Sequence, residues 1–259
     1  MASITETVIL GIIQGLTEWL PVSSSGHLAV AKEFFGWKPP IIFYVLLHVG
    51  TLFVIVAFFR KDIMEILKAL ARRDFKSEEG KLGAFVVVGS IPTAVISYVF
   101  QDLFESFFDN LFVVGVALLT TGFLLFVSER RGDDRTLSYL DSLLMGIAQG
   151  VAIIPGVSRS GSTISTGLLR RVERETVFKF SFLLSIPAVL GATIAKSGDL
   201  DLLISGVDVI AVAVGIIASM VVGYLSLKVL LKIVIKQKFH WFAFYCWTAG
   251  ALVLVSQIL

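Results

Sequence analysis

At residues 11–27 the chain reads GIIQGLTEWLPVSSSGH, and at residues 146–162 it reads GIAQGVAIIPGVSRSGS. Aligned without a gap, at an offset of 135 residues (146 minus 11), the two stretches share Gly-Ile-x-Gln-Gly and then Val-Ser-x-Ser-Gly. Matching glycines alone are weak evidence, but both patterns at one fixed spacing rarely arise by chance. We therefore interpret the two stretches as corresponding parts of an internal repeat.

The composition around this repeat is that of a membrane protein. Of the 259 residues, 56% are hydrophobic and only 16% are charged, and the mean hydropathy is +0.88. Soluble domains carry about 25% charged residues, so this composition argues against a soluble class. The single Cys246 excludes a disulfide framework and a cysteine-based metal site.

Six stretches are candidates for transmembrane helices, because about 20 apolar residues suffice to cross the hydrocarbon core as a helix. They lie near 41–59, 82–100, 111–127, 177–195, 208–227 and 240–258. The two repeat stretches, near 5–30 and 143–169, are apolar runs that a break containing Pro and Ser interrupts. Broken backbone inside a membrane must lie against protein or a water-filled cavity. We therefore predict that both stretches are re-entrant, each made of two short helices that enter and return on one side.

The basic residues test this topology. Three spans separate the repeats, so the second repeat must be inverted relative to the first. Most of the 22 Lys and Arg residues then fall on one side, in the segments 60–81, 128–142, 170–179 and 228–238. The other side holds Lys32, Lys38 and Lys196, while Arg159 lies inside the second break. The positive-inside rule predicts that both termini are outside and that the basic segments are cytoplasmic. One of these segments, 60–81, is amphipathic and is predicted to lie along the membrane surface.

These observations predict an all-α integral membrane protein with six transmembrane helices and two re-entrant helix-break-helix segments, arranged as an inverted-topology repeat. The chain is predicted to form a single membrane domain over residues 1–259, with repeat one at about 5–127 and repeat two at about 143–258. Inverted repeats whose broken helices meet near the membrane midplane are typical of transporters, so transport remains open as a function.

The two breaks hold the candidates for chemistry, because ionisable groups inside membrane segments are costly and usually functional. Glu18 lies one helical turn after Gln14, so both side chains project from one face. The candidates for binding or reacting with a substrate are Ser23, Ser24, Ser25, Gly26 and His27 in the first break, and Ser158, Arg159, Ser160 and Thr163 in the second. If the breaks meet, these residues form one polar site.

The residue types in the breaks suit phosphate chemistry. A helix that restarts after a break directs free backbone N–H groups at an anion, and Arg159 can bind phosphate oxygens through two parallel hydrogen bonds. Glu18, with Gln14 as a neutral oxygen ligand, can hold Mg²⁺ or Ca²⁺ together with substrate phosphates. Ser24 can act as a nucleophile if His27 takes its proton, or His27 can activate water directly.

Structural roles are the alternative for several of these residues. A turn rich in Ser and Gly can simply satisfy its own backbone inside a membrane, and His27 can be a hydrogen-bonding residue without a chemical role. His48, in the first full span, either supports the site or donates a hydrogen bond between helices. Arg159 is the hardest to assign a structural role, because an unpaired arginine in a bilayer is costly.

Two motifs give the chain a resemblance to a known family. Gln14-x-x-x-Glu18 is similar to the (Glu/Gln)-x-x-x-Glu motif of the undecaprenyl-diphosphatase, or bacitracin-resistance protein, family. The stretch PGVSRSGST at residues 155–163 is similar to that family's Pro-Gly-x-Ser-Arg-Ser-x-x-Thr motif. The resemblance extends over nearly the whole chain. The one visible departure is Gln14, where many family members have glutamate.

This resemblance implies hydrolysis of undecaprenyl diphosphate to undecaprenyl phosphate and inorganic phosphate, which recycles the lipid carrier of peptidoglycan synthesis. It also implies a divalent cation, a site on the outer side of the cytoplasmic membrane, and inhibition by bacitracin. By position, Glu18 would be the essential carboxylate and Arg159 the phosphate clamp. The catalytic base and nucleophile would come from His27 and the pair Ser23 and Ser24.

We thus predict a membrane phosphatase with a prenyl diphosphate lipid as its substrate. The alternative is a transporter or flippase of prenyl phosphate or another anion. Glu18 and His27 favour hydrolysis, because a pure anion binder needs no base. Membrane lipid is the other predicted partner, and the basic residues line membrane-adjacent loops, so no nucleic acid is expected. The sequence leaves open whether the chain forms a homo-oligomer.

Overall fold

The computed structural model describes residues 4–37, 39–129, 135–199, 209–235 and 238–258. Within these ranges the chain is all α-helical, as the sequence predicts. The helices, numbered in chain order, are α1 Ile4–Trp19, α2 Ser24–Phe35, α3 Ile41–Phe58, α4 Arg60–Ala71, α5 Glu78–Val99, α6 Gln101–Phe107, α7 Leu111–Ser128, α8 Tyr139–Val151, α9 Arg159–Leu169, α10 Arg174–Ala195, α11 Val209–Ile235 and α12 His240–Ser256. Four of the basic residues used for the topology, Lys38, Arg130, Arg131 and Lys236, lie outside the described residues.

Five helices in the described part of the chain, α3, α5, α7, α10 and α11, are long and apolar enough to cross a membrane. The sixth predicted span corresponds to α12, an apolar helix of 17 residues. Large apolar side chains on these helices point outward, and more than half of the surface of Phe53, Val87, Phe123 and Ile217 is exposed. A multi-pass membrane protein is therefore confirmed, while the exact arrangement of six spans and two re-entrant segments stays a prediction.

Both repeat stretches consist of two helices separated by a short break. The helix α1 ends two residues before Pro21, and α2 begins after Ser23, whose side-chain oxygen accepts a hydrogen bond from the backbone N–H of Gly26. The equivalent Ser158 accepts a hydrogen bond from the N–H of Gly161 at the start of α9. Serine is a preferred N-cap residue. The shared Val-Ser-x-Ser-Gly pattern therefore encodes the point at which each second helix begins.

The packing of the helices follows the repeat. The helix α1 packs against α11, and its counterpart α8 packs against α5. A Cβ atom added at Gly11 would lie 2.2 Å from the carbonyl oxygen of Gly215, and one added at the equivalent Gly146 would lie 2.0 Å from that of Gly89. Small residues at such crossings let two helix backbones touch inside a membrane. Each repeat stretch is thus held against a helix from the other half of the chain.

We expect Gly146→Ala to destabilise the protein, because the added methyl group would overlap the carbonyl oxygen of Gly89 and force the two helices apart. Overpacking of this kind costs about 1–3 kcal/mol, which corresponds to roughly 2–12 °C in the thermal unfolding midpoint of a chain of this size. The matched control is Gly191→Ala in α10, where an added Cβ would meet no atom within 4 Å. Thermal unfolding in detergent measures both, and equal midpoints for the two variants would contradict this packing.

Each of the following ion pairs joins residues that the predicted topology places on the same side of the membrane. Lys179 pairs with Asp62 near the predicted cytoplasmic ends of α10 and α4. On the predicted outer side, Lys196 lies 2.7 Å from Glu105. At the start of α8, the buried carboxylate of Asp141 accepts hydrogen bonds from basic residues of the predicted cytoplasmic side, Arg135 at 2.7 Å and Arg170 at 2.9 Å.

The largest buried apolar cluster joins the first repeat stretch to helices from the second half of the chain. It includes Trp19 and Val22 from the first repeat stretch, Phe182 from α10 and Leu227 from α11. Trp19 packs edge-to-face on Phe182, with ring centroids 5.5 Å apart. Residues from both halves of the chain therefore form one apolar core, which packs against the first repeat stretch.

Candidate active site

The two breaks contact each other. The side-chain oxygen of Ser23 accepts a hydrogen bond from the backbone N–H of Gly156 at 3.1 Å. A Cβ added at Gly26 would lie 2.9 Å from the Cα of Gly156, so glycine at both positions permits this approach. Thr121 of α7 supports the second break, donating to the carbonyl of Gly156 at 2.9 Å and accepting from the N–H of Ser158 at 3.1 Å.

Glu18 is at the centre of the site, and its residue surface is only 7% exposed. Its Oε1 accepts a hydrogen bond from Nη2 of Arg159 at 2.7 Å. Its Oε2 accepts from Oγ of Ser24 at 2.6 Å and from Nε2 of Gln14 at 3.0 Å. Nε2 of His48, from α3, lies 3.3 Å from the same oxygen. The structure thus brings together Gln14, Glu18, Ser24 and Arg159, and it adds His48 to them.

Arg159 is the first residue of α9 and has an unused hydrogen-bond donor. One of its terminal nitrogens binds Glu18, whereas Nη1 is buried without a hydrogen-bond partner among the described residues. The guanidinium carbon lies 5.3 Å from the centre of the Trp19 ring. Thr163 donates to the carbonyl of Arg159 at 2.9 Å and supports this first turn. A guanidinium with a free N–H at the positive end of a helix suits a phosphate oxygen.

The structure places His27 in the first turn of α2, just after the first break, and its ring forms no hydrogen bond with Ser24. Its Nδ1 lies 2.7 Å from the carbonyl oxygen of Ser23, and its Nε2 lies 2.7 Å from the hydroxyl of Tyr245 on α12. Because a carbonyl oxygen only accepts hydrogen bonds, we infer that Nδ1 carries the proton and that Nε2 accepts from Tyr245. In this arrangement the hydroxyl of Ser24 donates to Glu18. The Ser24–His27 pair considered in the sequence analysis is not formed here.

The other serines of the breaks are close to one another and to backbone. Oγ of Ser23 lies 3.3 Å from Oγ of Ser25, and Oγ of Ser158 lies 3.4 Å from Oγ of Ser160. Ser23 and Ser158 also form the helix caps described above. These contacts therefore hold the breaks in place. Contact between these serines and a substrate phosphate stays a prediction.

The groups around Glu18 decide whether this carboxylate fits a divalent cation. Both of its oxygens already accept hydrogen bonds, and the neighbouring groups are a guanidinium, an amide N–H, a hydroxyl and an imidazole. Gln14 directs its nitrogen at the carboxylate, and its Oε1 is buried without a partner in the described part of the chain. Hydrogen-bond donors such as these bind anionic groups, as they bind the carboxylate of Glu18 here. This set of donors does not fit a cation held between Glu18 and Gln14.

Comparisons with known proteins cover almost the whole chain. A family model described as bacitracin resistance protein BacA matches residues 7–252. The chain is similar to an undecaprenyl-diphosphatase of Carboxydothermus hydrogenoformans, with 40% identity over 97% of both chains. It is also similar to an undecaprenyl-diphosphatase of Alkaliphilus metalliredigens, with 39% identity over 98% of both chains. The matched region contains both breaks and every residue that contacts Glu18.

Proposed function

The chain belongs to the bacitracin resistance protein BacA family, and on this premise we propose that it acts as an undecaprenyl-diphosphatase. It is a membrane phosphatase that converts undecaprenyl diphosphate to undecaprenyl phosphate and inorganic phosphate, and so recycles a lipid carrier. The transporter alternative is not favoured. The observation that carries the proposal is the partly buried Arg159, held by Glu18 through Nη2 while its buried Nη1 is free to donate.

The terminal phosphate of the substrate binds, in this proposal, at Nη1 of Arg159 and at the positive end of α9. Phosphoryl transfer depends mainly on positioning and on stabilising the charge that develops on the phosphoryl oxygens. The guanidinium cannot lose its proton, and it is partly buried against the Trp19 ring. The electrostatic contribution of Arg159 is therefore larger than it would be in water.

Ser24 is the proposed nucleophile. Its Oγ attacks the terminal phosphorus, its proton passes to Oε2 of Glu18, and the bond between that phosphorus and the bridging oxygen breaks. Undecaprenyl phosphate leaves with the bridging oxygen, and water then hydrolyses the phosphoserine to release inorganic phosphate. The distance of 2.6 Å between Ser24 and Glu18 supports Glu18 as the base. His27, bonded to Tyr245, holds the break through Ser23 in this scheme.

A divalent cation, Mg²⁺ or Ca²⁺, is proposed to enter with the diphosphate. Cations of this kind are usually bound by one or two carboxylates together with substrate phosphates. The donors around Glu18 do not fit a resident cation, so the roles proposed for Ser24, Glu18 and Arg159 do not depend on one. Phosphate release with and without EDTA tests the requirement for a cation.

Phosphate release from a C55 or shorter prenyl diphosphate by the purified protein in detergent tests the proposed function. Detergent micelles provide no second compartment, so transport cannot give the signal. Release of one inorganic phosphate for each prenyl phosphate formed is the expected result. No release with any divalent cation present would overturn the phosphatase.

We also propose that the protein lies in the cytoplasmic membrane with both termini and the site toward the outer side. The positive-inside rule supports this orientation, and the ion pairs agree with the division of the charges between two sides. Cys246 is buried and gives little background for thiol labelling. In intact cells, a membrane-impermeant maleimide is expected to label Gly198→Cys and not Lys68→Cys, both at exposed positions. The reverse pattern would show that the topology is inverted.

A further inference from the structure

His48 is fixed by contacts at both of its ring nitrogens. Nδ1 lies 2.8 Å from the carbonyl oxygen of Tyr44, one turn earlier on α3. Because that oxygen can only accept a hydrogen bond, Nδ1 is the donor. This contact turns Nε2 toward Oε2 of Glu18, at 3.3 Å. The position of the imidazole is therefore set by the backbone of α3 and not by the breaks themselves.

The part of α3 that carries His48 is held against α11. Its backbone approaches α11 at Gly50, where an added Cβ would lie 2.5 Å from Oγ of Ser219. Oγ of Ser219 in turn lies 3.3 Å from the carbonyl oxygen of Leu47. The close approach at Gly50 and the hydrogen bond at Leu47 thus hold α3 against α11 just after and just before His48 along the chain.

The carboxylate of Glu18 must be held in one orientation because its two oxygens have different roles. Oε1 accepts a hydrogen bond from Arg159, and Oε2 accepts one from the hydroxyl of Ser24. Gln14 lies on the same helix as Glu18, and Ser24 is the first residue of α2, so both belong to the first repeat stretch. His48 is the contact to Oε2, among the described residues, that comes from a separate transmembrane helix.

We propose that His48 is a positioning residue, which holds Oε2 of Glu18 so that Ser24 and Arg159 keep their places relative to the substrate phosphate. This inference rests on the proposed function. Because Nδ1 donates to Tyr44, Nε2 donates to Oε2 of Glu18 when the ring carries a proton on both nitrogens, and this second hydrogen bond is what position 48 contributes. A neutral donor of the same reach can therefore replace the imidazole.

Two amides provide the matched test. The side-chain nitrogen of glutamine reaches about as far from the backbone as Nε2 of histidine, whereas that of asparagine reaches only as far as Nδ1. We expect His48→Asn and His48→Ala to lower kcat about 10–100-fold, with KM within about threefold of wild type, because misplacing a catalytic group by about 1 Å has effects of this size. His48→Gln is expected to restore kcat to within about fivefold of wild type.

The comparison separates positioning from a general structural role. If His48 only packed the helices, His48→Gln and His48→Asn would have equal kcat values, both low or both normal, and either result would overturn the inference. Thermal unfolding midpoints identify a variant that fails to fold, in which case His48→Ala replaces His48→Asn. If wild type releases phosphate and His48→Gln and His48→Asn have equal rates, only the role of His48 is overturned. No release by wild type would overturn the proposed function and this inference with it.

Discussion

Replacing Arg159 with alanine is expected to lower kcat/KM for phosphate release by about 10³-fold or more, because arginines that stabilise a transferring phosphoryl group contribute on this scale. The variant loses both the contact to Glu18 and the free Nη1 that we assign to the substrate. Arg159→Lys keeps the charge but not the planar fork. We therefore expect it to be intermediate, with a loss of about 10–100-fold.

The effect of Arg159→Ala on folding must be separated from its effect on catalysis. Removing one partner of a buried ion pair leaves the other uncompensated and costs about 3–5 kcal/mol. The double variant Glu18→Ala, Arg159→Ala removes both charges, so its unfolding midpoint is expected to lie above that of Arg159→Ala. It is expected to remain inactive. An Arg159→Ala variant that keeps a tenth of wild-type activity would contradict the assigned role of this residue.

The internal repeat accounts for most of what could be predicted about this site. Its shared pattern located both breaks and the polar residues that would form one site if the breaks met, and the contact between Ser23 and Gly156 shows that they do meet. The spacing of Gln14 and Glu18 predicted a shared helix face, and their side chains are hydrogen-bonded at 3.0 Å. These features depend on local spacing and on one topological argument. Both can be read from a single sequence.

The partners of the two histidines could not be predicted in the same way. His27 binds Tyr245, which lies on α12, 218 residues away along the chain. The choice between the two roles considered for His48 depends on how α3 rotates against α1. Neither partner belongs to a sequence motif, and side-chain direction is set by packing among helices that are uniformly apolar. Hydrophobic periodicity carries little information in such helices, because lipid-facing and buried positions have the same composition.

The element boundaries show a similar limit. The short helix α6, Gln101–Phe107, was not predicted, because it lies in a loop whose acidic residues interrupt the apolar pattern. The helix α11 ends at Ile235, beyond the predicted end of that span near residue 227. Lysines at a membrane interface can lie within a helix while their charged ends reach water. Charge therefore marks the edge of the membrane more reliably than the end of a helix.

Ser24→Ala is expected to lower kcat for phosphate release by about 10³-fold or more, because losing a nucleophile leaves only binding and electrostatic stabilisation. The neighbouring Ser25 is the matched control: its hydroxyl lies 3.3 Å from Ser23, and Glu18 contacts Ser24 instead. Ser25→Ala is expected to cost less than about tenfold. Rapid-quench kinetics with wild type should show a burst of prenyl phosphate before inorganic phosphate appears, if hydrolysis of the phosphoserine is slower than its formation.

The sequence left two nucleophiles open, serine and water, and the variants at Ser24 and Glu18 distinguish them. If Ser24 attacks, both Ser24→Ala and Glu18→Gln are inactive and the burst disappears. If water attacks, Glu18→Gln loses activity while Ser24→Ala keeps more than about a tenth of it, since Ser24 would only hydrogen-bond the base. That outcome would contradict the covalent step. It would leave Glu18 as the base that activates the water, in place of the His27 considered in the sequence analysis.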